Sequence, residues 1–204
     1  MVEDIEQLRI HLQIEKWSIL GHSFGGILAS AYAAKYPDNI DRIIYSSSAG
    51  IDLGFLDDLG ASVMSKLSKA ETDSLAYWSK KSDEGDTSYV VRLGRGRALA
   101  PAYVYDKKFV PIIAERLTQG NNQVNKLVIE NLIKIKYDCS EQLKTFDKPV
   151  LIIQGKQDIV QLRIAEKAHK VLKNSQIVLM EHCGHYGWLD NEPVYFHEIN
   201  SFLE

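Results

Sequence analysis

Residues 17–26 read WSILGHSFGG, a short apolar run that ends in a serine between glycines. The apolar run predicts a buried strand over 17–20, and the segment after the glycines predicts a helix over 24–36 that Pro37 closes. A serine on the sharp turn between a strand and a helix is lifted above its sheet, where its hydroxyl can react. The stretch therefore makes Ser23 a candidate nucleophile, and a serine that only caps the helix is the structural alternative.

Ser23 is the central residue of a G-x-S-x-G pattern, and the backbone N–H of Phe24 follows it directly. We expect Gly21, Gly25 and Gly26 here because such a turn is strained and packs closely, which leaves little room for a Cβ. The N–H of Phe24 lies at the positive end of the predicted helix and is a candidate donor to an oxyanion. We expect the side chain of His22, which belongs to the same motif, to pack rather than to catalyse.

Strands and helices alternate on both sides of a long helical segment. The pattern predicts a helix over 3–13 before the first strand, then strands over 42–47, 150–155 and 176–182 and helices over 163–172 and 194–203. Strands that are apolar throughout indicate an α/β fold with a mostly parallel sheet and helices on both faces. We expect residues 1–49 and 147–204 to form this core. Residues 50–146 would form a helical cap, or lid, at the carboxyl ends of the strands, where open α/β sheets bind ligands.

Two later segments place an acid and a base at the same edge of the sheet. Asp158 follows the predicted strand in VLIIQGKQD, and His185 follows the next one in MEHCGHYGW. A serine hydroxyl needs such a base within hydrogen-bond distance before it can attack a carbonyl carbon. The chain order Ser, Asp, His is also the order of one known type of catalytic triad.

The sequence resembles the α/β-hydrolase fold family, and within it the proline iminopeptidase-like proteins of the S33 type. The resemblance rests on GHSFGG at 21–26, PVLIIQGKQD at 149–158 and CGHYGWLDNEP at 183–193, and it is weakest in the helical segment. It implies a serine hydrolase that cleaves a small ester or amide, including the N-terminal bond of a peptide. It implies no cofactor.

Residue by residue, the resemblance implies Ser23 as the nucleophile, His185 as general base and acid, and Asp158 as the carboxylate that orients His185. It also implies the Phe24 N–H as one oxyanion donor. The family usually has a proline about four residues after the acid, whereas this chain continues DIVQLRIAE and is shorter there. The loop after Asp158 is therefore less clearly assigned than Asp158 itself.

The family has several more strands before the nucleophile strand, and one of the preceding loops donates a second oxyanion N–H. Here one predicted helix precedes it, so the chain resembles the C-terminal part of a hydrolase that is N-terminally truncated. The strand at 17–20 would then be an edge with unpaired N–H and C=O groups. We expect either an N-terminal companion segment or self-association through this edge.

Composition narrows the classes of partner. The 204 residues have a formal net charge of −3 and a pI of about 6.1, which gives no basic surface for nucleic acid or for an anionic membrane. The acidic start MVEDIEQLR does not resemble an export signal, and the two cysteines, Cys139 and Cys183, favour reduced thiols and the cytoplasm. His182, Cys183 and His185 lie too close together along one strand end to form a zinc site without a further ligand, so we expect no metal.

Three questions about the substrate stay open at this point. Peptidase activity would need lid carboxylates to hold a free amine, and the candidates are Asp52, Asp57, Asp58, Glu71, Asp73, Glu84 and Asp86, although such acids are usually just solvated. The basic segment YVVRLGRGRALA predicts a turn in the cap, whose Arg92, Arg95 and Arg97 could meet a carboxylate-bearing substrate. Tyr186 and Trp188 are candidate pocket residues or core residues.

Two alternative functions also stay open. A carboxylesterase or lactonase is the alternative enzyme, and a non-catalytic ligand-binding protein that keeps the fold is the alternative class.

Overall fold

The computed structural model describes residues 1–204 except for the side chain of Asn122. Within the described chain, parallel strands form one sheet in the order β1-β2-β3-β4, which is also their order in the sequence. The strands are β1 (Trp17–His22), β2 (Ile40–Ser46), β3 (Val150–Gly155) and β4 (Ser175–Met180). Because all of them run in the same direction, their carboxyl ends meet at one edge of the sheet.

Helices occupy most of the remaining chain. Those around the sheet are α1 (Val2–His11), α2 (Phe24–Lys35), α9 (Leu162–Val171), α10 (Gly187–Asp190) and α11 (Glu192–Leu203). Those between β2 and β3 are α3 (Leu59–Ser65), α4 (Lys69–Asp83), α5 (Tyr89–Leu99), α6 (Val110–Leu117), α7 (Asn122–Lys134) and α8 (Ser140–Leu143). Short 3-10 turns lie at Pro37–Asn39, Leu53–Asp57, Ala100–Ala102 and Lys107–Phe109. None of the described helices is long and apolar enough to span a bilayer.

Side chains alternate between the two faces of the sheet, as they must in a strand. On β2, Ile43 and Tyr45 point into the larger core, to which α2 and α9 contribute. Ile44, between them, points to the opposite face and packs in a second core with Tyr195 and Ile199 of α11. Both faces of the central strands are therefore covered, which explains why β2 and β3 are apolar along their whole length.

The segment from residue 47 to residue 149 leaves the sheet and returns to it. Among its described residues the structure contains helices and turns, and its β contact is a single isolated bridge between Asp52 and Asp138. The division into a core of 1–49 and 147–204 and a cap of 50–146 remains a prediction. In chain order the segment follows β2, so it starts at the carboxyl edge of the sheet.

The prediction of a turn in YVVRLGRGRALA is wrong, because residues Tyr89–Leu99 form the helix α5. Gly94 and Gly96 instead allow neighbouring helices to pack closely against α5. A Cβ on Gly94 would lie 2.3 Å from the ring of Trp78 on α4, and a Cβ on Gly96 would lie 2.4 Å from the carbonyl oxygen of Ala114 on α6. Glycine therefore allows α4 and α6 to approach α5 closely, although it is a poor helix former.

The strand β1 is less buried than its apolar sequence predicts. Leu20 keeps 49% of its surface exposed, and Ser18 is also exposed. Both point to the face that α11 covers over β3, but β1 is the edge strand of the described sheet and lies at the margin of that cover. An exposed edge strand presents unpaired backbone groups beside its apolar side chains.

The sequence predicts that this edge pairs with an N-terminal companion segment or with a second copy of the chain, and for the chain by itself we propose the second copy. Leu20→Lys should weaken such self-association by about tenfold or more, because each dimer would lose two apolar side chains and gain two ammonium groups. Light scattering over a concentration series measures the effect. Ile112→Lys is a control, since Ile112 lies on α6 and is 57% exposed. A monodisperse monomer for the unmodified chain would contradict the expectation.

Candidate active site

Ser23 lies on the tight turn that joins β1 to α2. Its backbone adopts φ 53° and ψ −120°, in the positive-φ region that costs a non-glycine residue free energy. Its N–H donates to the carbonyl of Ser46 on β2 at 3.0 Å. Its own carbonyl accepts the N–H groups of Gly26 and Ala49, each at 3.0 Å. These bonds hold the strained turn against the neighbouring strand and the loop that follows it.

Two of the three elbow glycines are required by close contacts. A Cβ on Gly21 would lie 2.6 Å from the carbonyl oxygen of Gly25, and a Cβ on Gly26 would lie 1.9 Å from the Oγ of Ser48. At Gly25 a Cβ would meet nothing within 4 Å, so the expectation of tight packing is wrong for this position. The turn is compact where it faces the sheet and open on its outer side.

Asp158 and His185 form a buried pair at the carboxyl edge. His185 Nδ1 lies 2.8 Å from Asp158 Oδ1, and the two residues are 2% and 4% exposed. Asp158 follows β3, and His185 lies in the loop after β4. Because β3 and β4 pair in parallel up to Gly155 and Met180, their ends bring these two side chains together.

Further donors surround the Asp158 carboxylate. Oδ2 accepts from Nε2 of Gln154 at 2.8 Å, and Oδ1 accepts the N–H of Val160 at 2.9 Å. Burial alone would raise the pKa of Asp158. The electrostatic interaction and the hydrogen bond with His185, the N–H of Val160 and a contribution from Ser47 instead hold the pKa below its ordinary value. The carboxylate is therefore ionised at neutral pH and can accept the imidazole N–H.

His185 is fixed on its other sides by the helical segment between β2 and β3 and by the turn that carries Ser23. Its backbone N–H donates to the carbonyl of Tyr103 at 2.7 Å, and the Tyr103 ring meets the imidazole edge-on, with 5.5 Å between ring centroids. The ring of His22, next to Ser23 in the chain, lies 4.7 Å from the imidazole. Ser23 and His185 are thus on adjoining parts of the site. Among the described residues, however, the Ser23 hydroxyl forms no hydrogen bond.

The other predicted site residues surround these groups. Phe24 begins α2, so its N–H has no acceptor in the preceding turn and stays available at the positive end of the helix. Tyr186 and Trp188 pack on His22, with ring centroids 5.3 Å and 4.7 Å away. Tyr186 is buried, and both aromatic residues belong to the wall that encloses the His22 ring. His22 packs, as expected, and its Nδ1 lies 3.1 Å from the Ser46 carbonyl.

The histidines and the cysteine near β4 point to different partners. His182 Nδ1 lies 2.9 Å from the hydroxyl of Tyr105, whereas His185 faces Asp158. Burial raises the pKa of the Cys183 thiol to about 12, which disfavours the thiolate that binds metals. Over the described residues, no three His, Cys, Asp or Glu side chains are grouped as metal ligands.

Sequence reasoning missed four residues that support the pair. Gln154 could have been noticed, because it is a polar residue inside an otherwise apolar buried strand. Ser47, Tyr103 and Asp190 gave no such signal, because their roles depend on contacts between distant segments. Asp190 accepts the N–H groups of Gly184 at 2.8 Å and of Tyr105 at 2.9 Å, which ties the His185 loop to the helical segment between β2 and β3.

A cavity of ≈ 840 Å³ adjoins the site on the side of the helical segment. Tyr103 lines the cavity and also contacts His185, so this residue joins the two. Arg92 and Arg95 of α5 line the cavity as well. Its volume is in the range of small-molecule sites, and none of Ser23, Asp158 and His185 is part of its lining.

The model of a protein family described as the alpha/beta hydrolase fold matches residues 1–192 of this chain. The chain belongs to that family. It is 29% identical over 212 residues to a proline iminopeptidase of Saccharolobus solfataricus, with 100% of the chain aligned to 67% of that protein. It is 26% identical over 203 residues to the abhydrolase domain-containing protein abhd-5.2 of Caenorhabditis elegans, with 94% of the chain aligned to 44% of that protein.

A solved structure shows the same fold. An alpha/beta fold family hydrolase from Bacillus anthracis str. Sterne superimposes with a TM-score of 0.77 at 19% identity, over 98% of this chain and 72% of that one. These comparisons confirm the predicted fold class and the assignment to the hydrolases. The chain spans less than half of the Caenorhabditis protein and about two thirds of the archaeal one.

The packing of His22 predicts a pH-dependent stability. Burial, reinforced by the neighbouring His185, lowers the pKa of His22 to about 3, whereas an unfolded histidine titrates near pH 6.5. The unfolded chain therefore binds a proton in this window that the folded chain does not. The free energy of unfolding should fall as pH drops from about 6.5 towards 3, with this residue contributing up to about 1.4 kcal/mol per pH unit.

Urea unfolding between pH 7 and pH 5 measures this contribution. His22→Asn should flatten the fall, because the titrating group is gone. His11→Asn is the matched control, since it removes an exposed histidine from α1. An equal slope in all three proteins would show that His22 is not held in its neutral form.

Proposed function

We propose that the chain is a serine hydrolase in which Ser23 is the nucleophile, His185 the general base and acid, and Asp158 the orienting carboxylate. The observation that carries the proposal is the buried 2.8 Å contact between His185 Nδ1 and Asp158 Oδ1 beside the Ser23 turn. With Nδ1 donating to the carboxylate, Nε2 is the nitrogen that can accept a proton from a hydroxyl.

In the proposed first half-reaction, Ser23 Oγ attacks the acyl carbonyl carbon while its proton moves to Nε2 of His185. The carbonyl oxygen becomes an oxyanion and accepts the Phe24 N–H at the start of α2. His185 then gives the proton to the leaving alcohol or amine as the C–O or C–N bond breaks. The product of this half-reaction is an ester between the acyl group and Ser23.

In the second half-reaction a water molecule gives a proton to His185 and attacks the same carbonyl carbon. The bond to Ser23 breaks, and the proton returns to the serine oxygen. Asp158 remains ionised throughout and stabilises the imidazolium that forms in each half. Ser23 and His185 are not hydrogen-bonded in this structure, and such contacts commonly tighten when substrate binds.

The proposed substrate is a small ester or amide, including a short peptide cut after its first residue. The peptidase form is supported by the similarity to the Saccharolobus solfataricus protein, which is itself named a proline iminopeptidase. A carboxylesterase or lactonase would use the same three residues.

We further propose that the helices between β2 and β3 act as a lid, since the ≈ 840 Å³ cavity lies among them next to Tyr103.

Ser23 reactivity is the direct test of this function. A fluorophosphonate probe should label the unmodified chain on one serine, and Ser23→Ala should abolish labelling because it removes the nucleophile. Ser48→Ala is a matched control, since Ser48 lies in the adjoining loop and its Oγ accepts the N–H of Gly50. A folded chain that is not labelled would favour the second class of function, a ligand-binding protein that keeps the fold.

Asp158→Asn tests the role of the carboxylate. The amide cannot stabilise an imidazolium and can hold His185 in the wrong tautomer, so kcat on a 4-nitrophenyl ester should fall by about 10⁴-fold with KM little changed. Asp190→Asn is the comparison, because Asp190 fixes the same loop from outside the pair. A loss of less than about tenfold in Asp158→Asn would argue against the assigned role.

A further inference from the structure

The lid carboxylates that could hold a free amine have local partners instead. Each of the seven acids named from the sequence pairs with a nearby cation or caps a nearby backbone group, and none of them lines the large cavity. Asp52 pairs with Lys167; Asp57 and Asp58 with Arg163; Glu71 with Ser68 in a capping box; Asp73 with Lys69; Glu84 with Lys80; and Asp86 accepts the N–H of Ser88.

The face of α5 towards the cavity is basic instead. Arg92, Arg95 and Leu99 follow one another at spacings of three and four residues, so they share one side of the helix and line the cavity together. Arg97 points away from this side and lines a separate cavity of ≈ 380 Å³. Two of the three arginines of α5 therefore line the ≈ 840 Å³ cavity, and the third lies on another side of the helix.

The two cavity arginines have no carboxylate partner among the described residues. Arg95 Nε donates to the hydroxyl of Ser79 at 3.2 Å, and Arg92 Nη1 donates to the carbonyl of Thr118 at 3.2 Å. The Nη groups of Arg95 have no acceptor in the described chain. The one acid in the described lining, Asp83, is exposed at the end of α4. The lining thus carries more positive than negative charge.

Neutral donors complete the lining opposite α5. Residues with side-chain amides line the cavity at the start of α7 and in the turn before it; they are Gln119, Asn121, Gln123 and Asn125. Amide N–H groups together with guanidinium N–H groups form a set suited to a carboxylate, because carboxylate oxygens only accept hydrogen bonds. An ammonium group would meet two positive charges in the same place.

Charges from both the cavity and the Asp158–His185 pair act on the rings that lie between them. Burial, with smaller contributions from Tyr186 and Asp158, raises the pKa of Tyr103 to about 12, and the charge of Arg95 acts in the opposite direction on the same phenol. The charge of Arg116 on α6 disfavours protonation of His22. The positive charge of Arg95 therefore reaches Tyr103, the residue that lines the cavity and also contacts His185.

We propose that the substrate carries a carboxylate, bound by Arg95 and Arg92 in the cavity, while its ester or amide carbonyl lies at Ser23. This inference rests on the proposed function, since it names the substrate class of that site. It replaces the free amine of a peptide N-terminus with an anionic group. The planar fork of Arg95 matches the two oxygens of a carboxylate, and its half-buried position strengthens the bond relative to one in open water.

Two 4-nitrophenyl esters of one acid test the proposal by turnover. Mono-4-nitrophenyl glutarate carries a carboxylate, and its methyl ester is neutral and similar in shape. We expect kcat/KM to favour the anionic ester by about tenfold or more, and Arg95→Gln to lower kcat/KM on that ester by about tenfold, mainly through KM. Arg97→Gln removes the same charge from the other side of α5 and should leave both rates unchanged. Equal rates on the two esters would overturn the proposal.

Binding of glutarate itself separates this inference from the proposed function. In calorimetric titrations, glutarate should bind more tightly than neutral glutaramide. This difference in affinity should be the same in the unmodified chain and in Ser23→Ala. Arg92→Gln and Arg95→Gln should each weaken glutarate binding, and Asp83→Asn should not weaken it. Binding without turnover of any ester would keep the inference and reject the hydrolase. Turnover without a preference for glutarate over glutaramide would keep the hydrolase and reject the inference.

Discussion

The hydrogen bond between Asp158 and His185 is the interaction on which the rest of the site depends. It joins the end of β3 to the loop after β4, and it lies where both residues are almost fully buried. A buried carboxylate is costly unless charge and hydrogen bonds compensate it. Gln154, Val160 and His185 supply that compensation here, so the acid is held in its charged form and in one orientation. A parallel sheet is what makes the arrangement possible, because it collects the ends of successive strands at one edge.

The same edge couples the sheet to the helical segment. The carbonyl of Tyr103 accepts the N–H of His185, and Asp190 accepts N–H groups from both the His185 loop and residues 105–106. The position of the imidazole is therefore set from two directions, by the end of β3 and by the helical segment between β2 and β3. Residues that line the cavity and residues that orient the base are in contact through Tyr103. The cavity and the orientation of the imidazole are thus connected through one short stretch of chain.

Much of this arrangement could be predicted from the sequence. The apolar strands, the glycine-flanked serine and the acid and histidine after the last two strands predicted the sheet and the residues at its edge. These signals are local, since each depends on a few neighbouring residues. The two glycines of α5 misled the prediction because they meet Trp78 and Ala114, which are distant in the sequence. The exposure of Leu20 likewise depends on the order of the strands, which local patterns do not specify.

The state of the His185 ring is the most direct test of the account. In a proton NMR spectrum of the ¹⁵N-labelled chain, we expect a far-downfield ring N–H signal from Nδ1 of His185, protected from exchange by burial and by the bond to Asp158. The signal should be assigned to His185 by its loss in His185→Gln, with the spectra of the remaining histidines unchanged. A spectrum in which His185 carries its proton on Nε2, or exchanges it as freely as an exposed histidine, would contradict the central claim.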